Sequence, residues 1–159
     1  MAESAEKLAG ACACGAARYR LESAPMFVHC CHCLDCQRQT GSAFALNALI
    51  ETDRIALLAG EVAAIAVPTD SGRPHRIFRC PACQTALWSE YGGLATLRFV
   101  RVGTLEKPAA LAPTVHIYTR SKQPWVSLPP EVPAFEAYYD AKKVWPAESL
   151  ERRRVVLGR

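Results

Sequence analysis

Eight cysteines, gathered into three short clusters, constrain this 159-residue chain more than any other feature. The clusters are Cys12-Ala13-Cys14-Gly15, Cys30-Cys31-His32-Cys33-Leu34-Asp35-Cys36 and Cys80-Pro81-Ala82-Cys83. The opening stretch, MAESAEKLAG, has no basic segment followed by an apolar one, so no secretory leader is read and a cytoplasmic location is expected. In a reducing compartment, thiols paired in this way point to metal rather than to a disulfide framework. A redox dithiol at Cys33-Leu34-Asp35-Cys36 is the competing reading, but the βαβ context of such motifs is missing.

Spacing sorts the thiols into two sets. Cys80 and Cys83 form a zinc knuckle, in which a tight turn brings two sulfurs to one ion at about 2.3 Å. Cys12 and Cys14 point to one side of an extended chain, and Gly15 permits the bend that follows. Together the four thiolates make a closed, structural tetrahedral site. In the middle cluster, alternation puts Cys31 and Cys33 on one side, with Cys36 at knuckle spacing beyond them. Cys30 and His32 face the other way. Three thiolates with no evident fourth partner are the pattern of a catalytic zinc, although Cys30 or His32 remains able to close the site. Cys30 reads most simply as a small buried residue, and His29, His75 and His116 as packing or surface residues.

The rest of the chain reads as one mainly β domain. Eleven prolines and nine glycines break it into short segments. Strands are expected at 17–21, 26–30, 43–50, 61–67, 75–79, 86–91, 95–102 and 115–118. Helical turns are expected at 34–39, ending near Gly41, and at 147–155, after Pro146. Pro124, Pro129, Pro130 and Pro133 make the stretch before Phe135 irregular, with Trp125 and Phe135 expected to cover a sheet or line a cleft. No apolar run approaches the roughly 20 residues of a membrane span. The net charge of +4 comes from Arg152, Arg153, Arg154 and Arg159; without them the 19 basic residues match the 15 acidic ones. The tail 152–159 therefore reads as a solvated end, and nucleic acid is not the expected partner.

These residues resemble the glutathione-dependent formaldehyde-activating enzyme family, whose domain is shared with centromere protein V. The likeness spans about residues 10–136. It rests on Cys12-Ala13-Cys14-Gly15 with Arg18-Tyr19, on the run from Cys31 through Gln37-Arg38-Gln39-Thr40-Gly41-Ser42-Ala43-Phe44, and on Phe78-Arg79-Cys80-Pro81-Ala82-Cys83. It ends with His116-Ile117-Tyr118 and Lys122-Gln123-Pro124-Trp125. The resemblance implies a β-tent of small antiparallel sheets pinned by two zinc ions. One is structural, on Cys12, Cys14, Cys80 and Cys83; the other is labile, on Cys31, Cys33 and Cys36, where glutathione chemistry is proposed. The knuckle is usually followed by glycine, and here Gln84 takes that place, which asks more of the backbone if a left-handed turn is needed.

The expected activity is that of a carbon–sulfur lyase forming or cleaving the S-hydroxymethyl adduct of glutathione with formaldehyde or a related aldehyde. The alternative is a non-catalytic zinc module that binds a protein or nucleic-acid partner. Glutathione carries two carboxylates, so cationic or amide donors are needed. Arg38 is the first candidate by position, Lys122 a weaker one, and the amides of Gly41 and Ser42 a third.

Overall fold

The computed structural model describes residues 7–159. The first six residues, part of the stretch from which the missing leader was read, lie outside them. Among the described residues the chain is mainly β, with ten strands in two sheets and three short helices. A three-stranded sheet runs β1 (Leu8–Ala11), β2 (Arg18–Leu21), β5 (Ile55–Ala59). A seven-stranded sheet has the order β10-β3-β4-β9-β8-β7-β6. Its strands are β3 (Phe27–Cys31), β4 (Ala45–Glu51), β6 (Ala63–Ala66), β7 (His75–Arg79), β8 (Ala86–Tyr91), β9 (Leu97–Arg101) and β10 (Val115–Ile117). Neighbours are antiparallel except β10, which lies parallel to β3.

All five residues of β3 are buried, because the strand has a core on each face. Val28 joins Ala48, Ile50, Val100 and Trp88 with Tyr19 and Leu21 of the small sheet in one apolar cluster. Phe27 and Cys31 join Leu49, Leu97, Val115, Ile117 and Trp145 in a second cluster, on the opposite face. Alternation along β3 thus sends Cys31 into one layer and Cys30 into the other. This is what separates the two halves of the middle cysteine cluster.

The second cluster is roofed by the C-terminal segment. Helices α2 (Ala141–Val144) and α3 (Ala147–Val156) follow the irregular stretch, and Pro146 stands at the N-cap of α3. Trp145 stacks on Phe27 at 5.0 Å and donates its indole N–H to Tyr139 Oη at 2.6 Å. Tyr139 Oη in turn lies 2.6 Å from His29 Nε2, so His29 is a packing residue held at that nitrogen, while its Nδ1 finds no partner among the described residues. Phe135 stacks on Tyr139 at 5.1 Å, whereas Trp125 is 74% exposed.

The basic tail is solvated only in part: Arg154 and Arg159 are exposed, but Arg152 and Arg153 dock on the fold. Arg152 donates from Nε and Nη2 to the two carboxylate oxygens of buried Glu51, at 2.9 and 2.6 Å. Arg153 lies over the Trp145 ring at 5.8 Å. Arg152 read as solvated because its partner, Glu51, is about a hundred residues earlier. Burial pushes the Glu51 carboxyl up, but Arg152 outweighs it and holds the group below its ordinary value. The stability that this pair adds is therefore present above about pH 4.5 and is lost as pH falls through the lowered value. Arg152→Ala leaves the carboxylate with only Arg54, at 3.6 Å. A loss of about 2 kcal/mol, or about 6 °C in Tm, is expected at neutral pH in a thermal melt, shrinking as pH falls below about 4.5 and Glu51 takes up a proton.

Candidate metal centres

The turn after β1 and the turn between β7 and β8 meet at four sulfurs. Cys12, Cys14, Cys80 and Cys83 lie with their ligand atoms all within 4.8 Å of one another. Gly15 takes φ +77 and returns its N–H to Cys12 O at 3.0 Å, forming the bend that aims Cys12 and Cys14 together. Gln84 occupies the left-handed region at φ +63, where its N–H bonds Cys80 O at 2.9 Å and its side-chain amide donates to Pro81 O at 2.9 Å. The knuckle needs the left-handed residue, and a glutamine supplies it, at a cost of about 1 kcal/mol relative to glycine. The donor set fits a tetrahedral zinc: sulfurs about 2.3 Å from one such ion stand about 3.8 Å apart. Cys12 and Cys14 are 3.5 Å apart and Cys14 and Cys80 are 3.9 Å apart.

Cys31, Cys33 and Cys36 form a second group, with sulfurs within 4.8 Å of one another. Cys31 ends β3, Cys33 is the N-cap of α1 (Leu34–Thr40), and Cys36 lies in its first turn. Cys33 Sγ accepts the Cys36 N–H at 3.4 Å, so the helix start fixes the sulfur. The helix stops at Gly41, whose φ of +64 and N–H bond to Gln37 O at 2.8 Å close it as its sequence predicts. Gln37 clamps this turn, donating to His32 O and Ser121 O, both at 2.9 Å. Hydrogen bonds from the Cys31 thiol and then the Cys36 thiol hold Cys33 far below the ordinary thiol range, while Cys31 is pushed far up. Three thiols this close cannot all ionise without a cation between them, so binding a soft cation and losing the protons go together.

Among the described residues, no fourth His, Cys, Asp or Glu ligand atom joins that trio. Cys30 and His32 stand instead with His116 in a third group on the other face of β3. His116 is thus not isolated, as its place in the sequence had implied.

The residues that surround the trio were not all foreseen. Arg101, at the end of β9, is half-buried, and the desolvation lowers its pKa; charge on Cys36 and then on Cys31 and Cys33 opposes that effect. It reaches the trio because β9 pairs with β4 at Asn47↔Arg101 and β4 pairs with β3 at Cys31↔Ala45. A hydrogen bond from Arg101 Nη1 to Asn47 Oδ1 holds it. Tyr118 sits in the left-handed region at φ +56, and burial, followed by Cys31, pushes its phenol up. His75 also feels Arg101, Asp35 and Cys33, though burial dominates and lowers it. Tyr118 lies within the His116-Ile117-Tyr118 motif; no spacing signal marked Arg101 or His75.

The expected carboxylate receptors stand elsewhere. Arg38 is 68% exposed and lies between Asp35 at 3.7 Å and Asp70 at 4.0 Å, beside a cleft also lined by Gln39, Pro68 and Thr69. Lys122 Nζ is spent on the carbonyls of Gln123 and Val126, at 3.0 and 2.7 Å. The Gly41 N–H closes α1, and the Ser42 N–H bonds Thr40 Oγ1 at 3.2 Å. Neither amide is left to face an anion, because the helix end uses both.

A mainly β scaffold carrying cysteine and cysteine–histidine groups compatible with zinc is the class that this geometry defines. The chain belongs to the glutathione-dependent formaldehyde-activating enzyme family, whose model matches residues 7–121. A crystal structure of a Rhodobacter sphaeroides protein aligns at 17% identity with a TM-score of 0.47, over 66% of this chain and 97% of that one. Among curated proteins none matches the chain. No helix of the described residues is long and apolar enough to cross a membrane.

Proposed function

We propose that this chain is a zinc-dependent carbon–sulfur lyase that makes and breaks the bond between glutathione sulfur and the carbon of formaldehyde or a related aldehyde. Family membership supports an enzyme acting on formaldehyde with glutathione. The observation that carries the finer reading is the Cys31–Cys33–Cys36 trio, three convergent sulfurs with no fourth protein ligand among the described residues. In this reading one zinc ion belongs to Cys12, Cys14, Cys80 and Cys83 and a second, labile one to the trio. An ion on the trio supplies positive charge that keeps an incoming thiol deprotonated at neutral pH.

The chain's own groups do the rest. Three thiolates and a divalent ion carry a formal charge of about −1, which the Arg101 guanidinium offsets. Arg101 is therefore the cation that lets a further thiolate approach. Arg38, flanked by two carboxylates, contributes less. In the addition, a sulfur lone pair forms the C–S bond while the carbonyl π pair moves to oxygen, which takes up one proton; no electron is gained or lost. Tyr118, whose phenol stays protonated at neutral pH, is the group we assign to hold that proton. Tyr118→Phe is expected to lower kcat about 100-fold with KM changed less than about threefold, since the hydroxyl acts only as charge develops on oxygen. The test of the activity is NMR exchange between formaldehyde and S-hydroxymethylglutathione. Faster exchange with zinc-loaded protein is expected; equal rates with and without it would leave a non-catalytic module as the reading.

A further inference from the structure

We infer that Cys30, His32 and His116 form a third metal site, for one borderline, thiophilic divalent cation of the zinc or cobalt kind, on the face of β3 opposite the trio. Cys30 Sγ lies 3.6 Å from His32 Nε2, and His32 Nε2 lies 3.0 Å from His116 Nδ1. All three residues are buried, at 2%, 0% and 5% exposure. The separations are those of a shared ion. With bonds of about 2.3 Å to sulfur and about 2.0 Å to nitrogen, tetrahedral edges are about 3.5 Å for S···N and about 3.3 Å for N···N.

Hydrogen bonding alone accounts for the arrangement poorly. His32 Nε2 faces both the sulfur and the second imidazole, yet it carries either one hydrogen or one lone pair and can serve only one of them fully. The far nitrogens, His32 Nδ1 and His116 Nε2, find no partner among the described residues, so no competing network orients the rings outward. The backbone places these donors without strain. Cys30 and His116 are directly paired in the parallel register of β3 and β10, and His32 follows Cys30 on the same face, its N–H fixed to Ile117 O at 3.0 Å. Phe44 closes the site edge-on against the His32 ring, 5.6 Å between centroids.

Charge couples the third site to the trio, and here the inference rests on the ion proposed for the trio. A divalent cation with one thiolate and two neutral imidazoles carries about +1, which a dry site does not tolerate alone. The trio carries about −1, and Cys30 and Cys31 are adjacent residues on opposite faces of one strand. Arg101 already faces the trio and Lys122 acts on His32, so the trio offsets the charge of the third site only in part. The ion would also fasten β10, a three-residue edge strand, to its neighbour β3.

The test is the metal content of the full chain, purified under reductant, reloaded with Zn(II) and freed of loose ions. Three equivalents are expected for the wild type, two for His116→Ala, two for Cys36→Ser and one for the double variant. Cys30→Ala, which removes only a sulfur, should also hold two and guards against a His116→Ala chain that does not fold. Loading with Co(II) gives a readout independent of counting: the wild-type minus Cys30→Ala spectrum should contain a thiolate-to-cobalt band. A full complement retained by folded His116→Ala or Cys30→Ala, or a difference spectrum with no such band, overturns the third site. A full complement retained by Cys36→Ser instead overturns the ion on the trio, so the two failures are distinguishable.

Discussion

Cys80→Ser is expected to abolish the folded state at room temperature, not merely to weaken it. A structural zinc contributes about 10–16 kcal/mol in small zinc domains at neutral pH, and a domain of this size has a net stability of only about 5–15 kcal/mol. The position amplifies the loss. Cys80 is 1% exposed and belongs, with Cys12, to the core between the two sheets. The sulfurs of Cys14 and Cys80 meet across 66 residues, so the ion closes a long loop that the unfolded chain leaves open. Circular dichroism of purified Cys80→Ser should show the loss of cooperative melting, and zinc should not restore it. A cooperative transition within a few degrees of the wild type would contradict the structural role.

Cys33→Ser is expected to do the opposite: keep the fold and lose the chemistry. Cys31, Cys33 and Cys36 span only six residues, so an ion there closes almost no chain entropy. Serine is also a better helix N-cap than cysteine, so α1 keeps its start when the sulfur is lost. The expected result is a Tm within about 4 °C of the wild type, a shift that corresponds to about 1–2 kcal/mol. One zinc equivalent should be lost, with at least about 100-fold loss of formaldehyde exchange. Unfolding of Cys33→Ser with Cys80→Ser intact would reverse the roles of the two sites.

The split between these clusters was legible because it depends on local rules. Alternation along a strand separates Cys30 from Cys31, and the two-residue gap of a knuckle joins Cys33 to Cys36 and Cys80 to Cys83; all of these survive folding unchanged. The helix at 34–40 and its stop at Gly41 are equally local. Strands β7 and β8 fall on the residues expected for them. Strand β5 was missed because Ile55–Ala59 reads IALLA, a run that favours helix, and becomes a strand by pairing with β2. Strand β1 was missed because LAGA shows no alternation.

The surroundings of the trio were not legible for a different reason. Arg101 arrives through two strand registers, and Tyr118 through a parallel pairing of β10 with β3. Nothing in the local sequence encodes Arg101, and the His116-Ile117-Tyr118 motif marks Tyr118 without saying what it faces. Arg38, two residues after Cys36, was favoured by nearness in sequence, but the helix turns it outward to Asp35 and Asp70. The same blindness to partners far along the chain made Arg152 read as solvated when it is bound to Glu51. His116 likewise read as isolated when it lies 3.0 Å from His32.

The account depends most on an exchangeable place beside the trio. Isothermal titration of the zinc-loaded protein with glutathione tests it without reference to turnover. One saturable site per chain is predicted, lost in Cys36→Ser and lost when a chelator strips the labile ion, but kept in Arg152→Ala. Equal binding by wild type and Cys36→Ser, or none by a wild type that holds its full zinc complement, would contradict it.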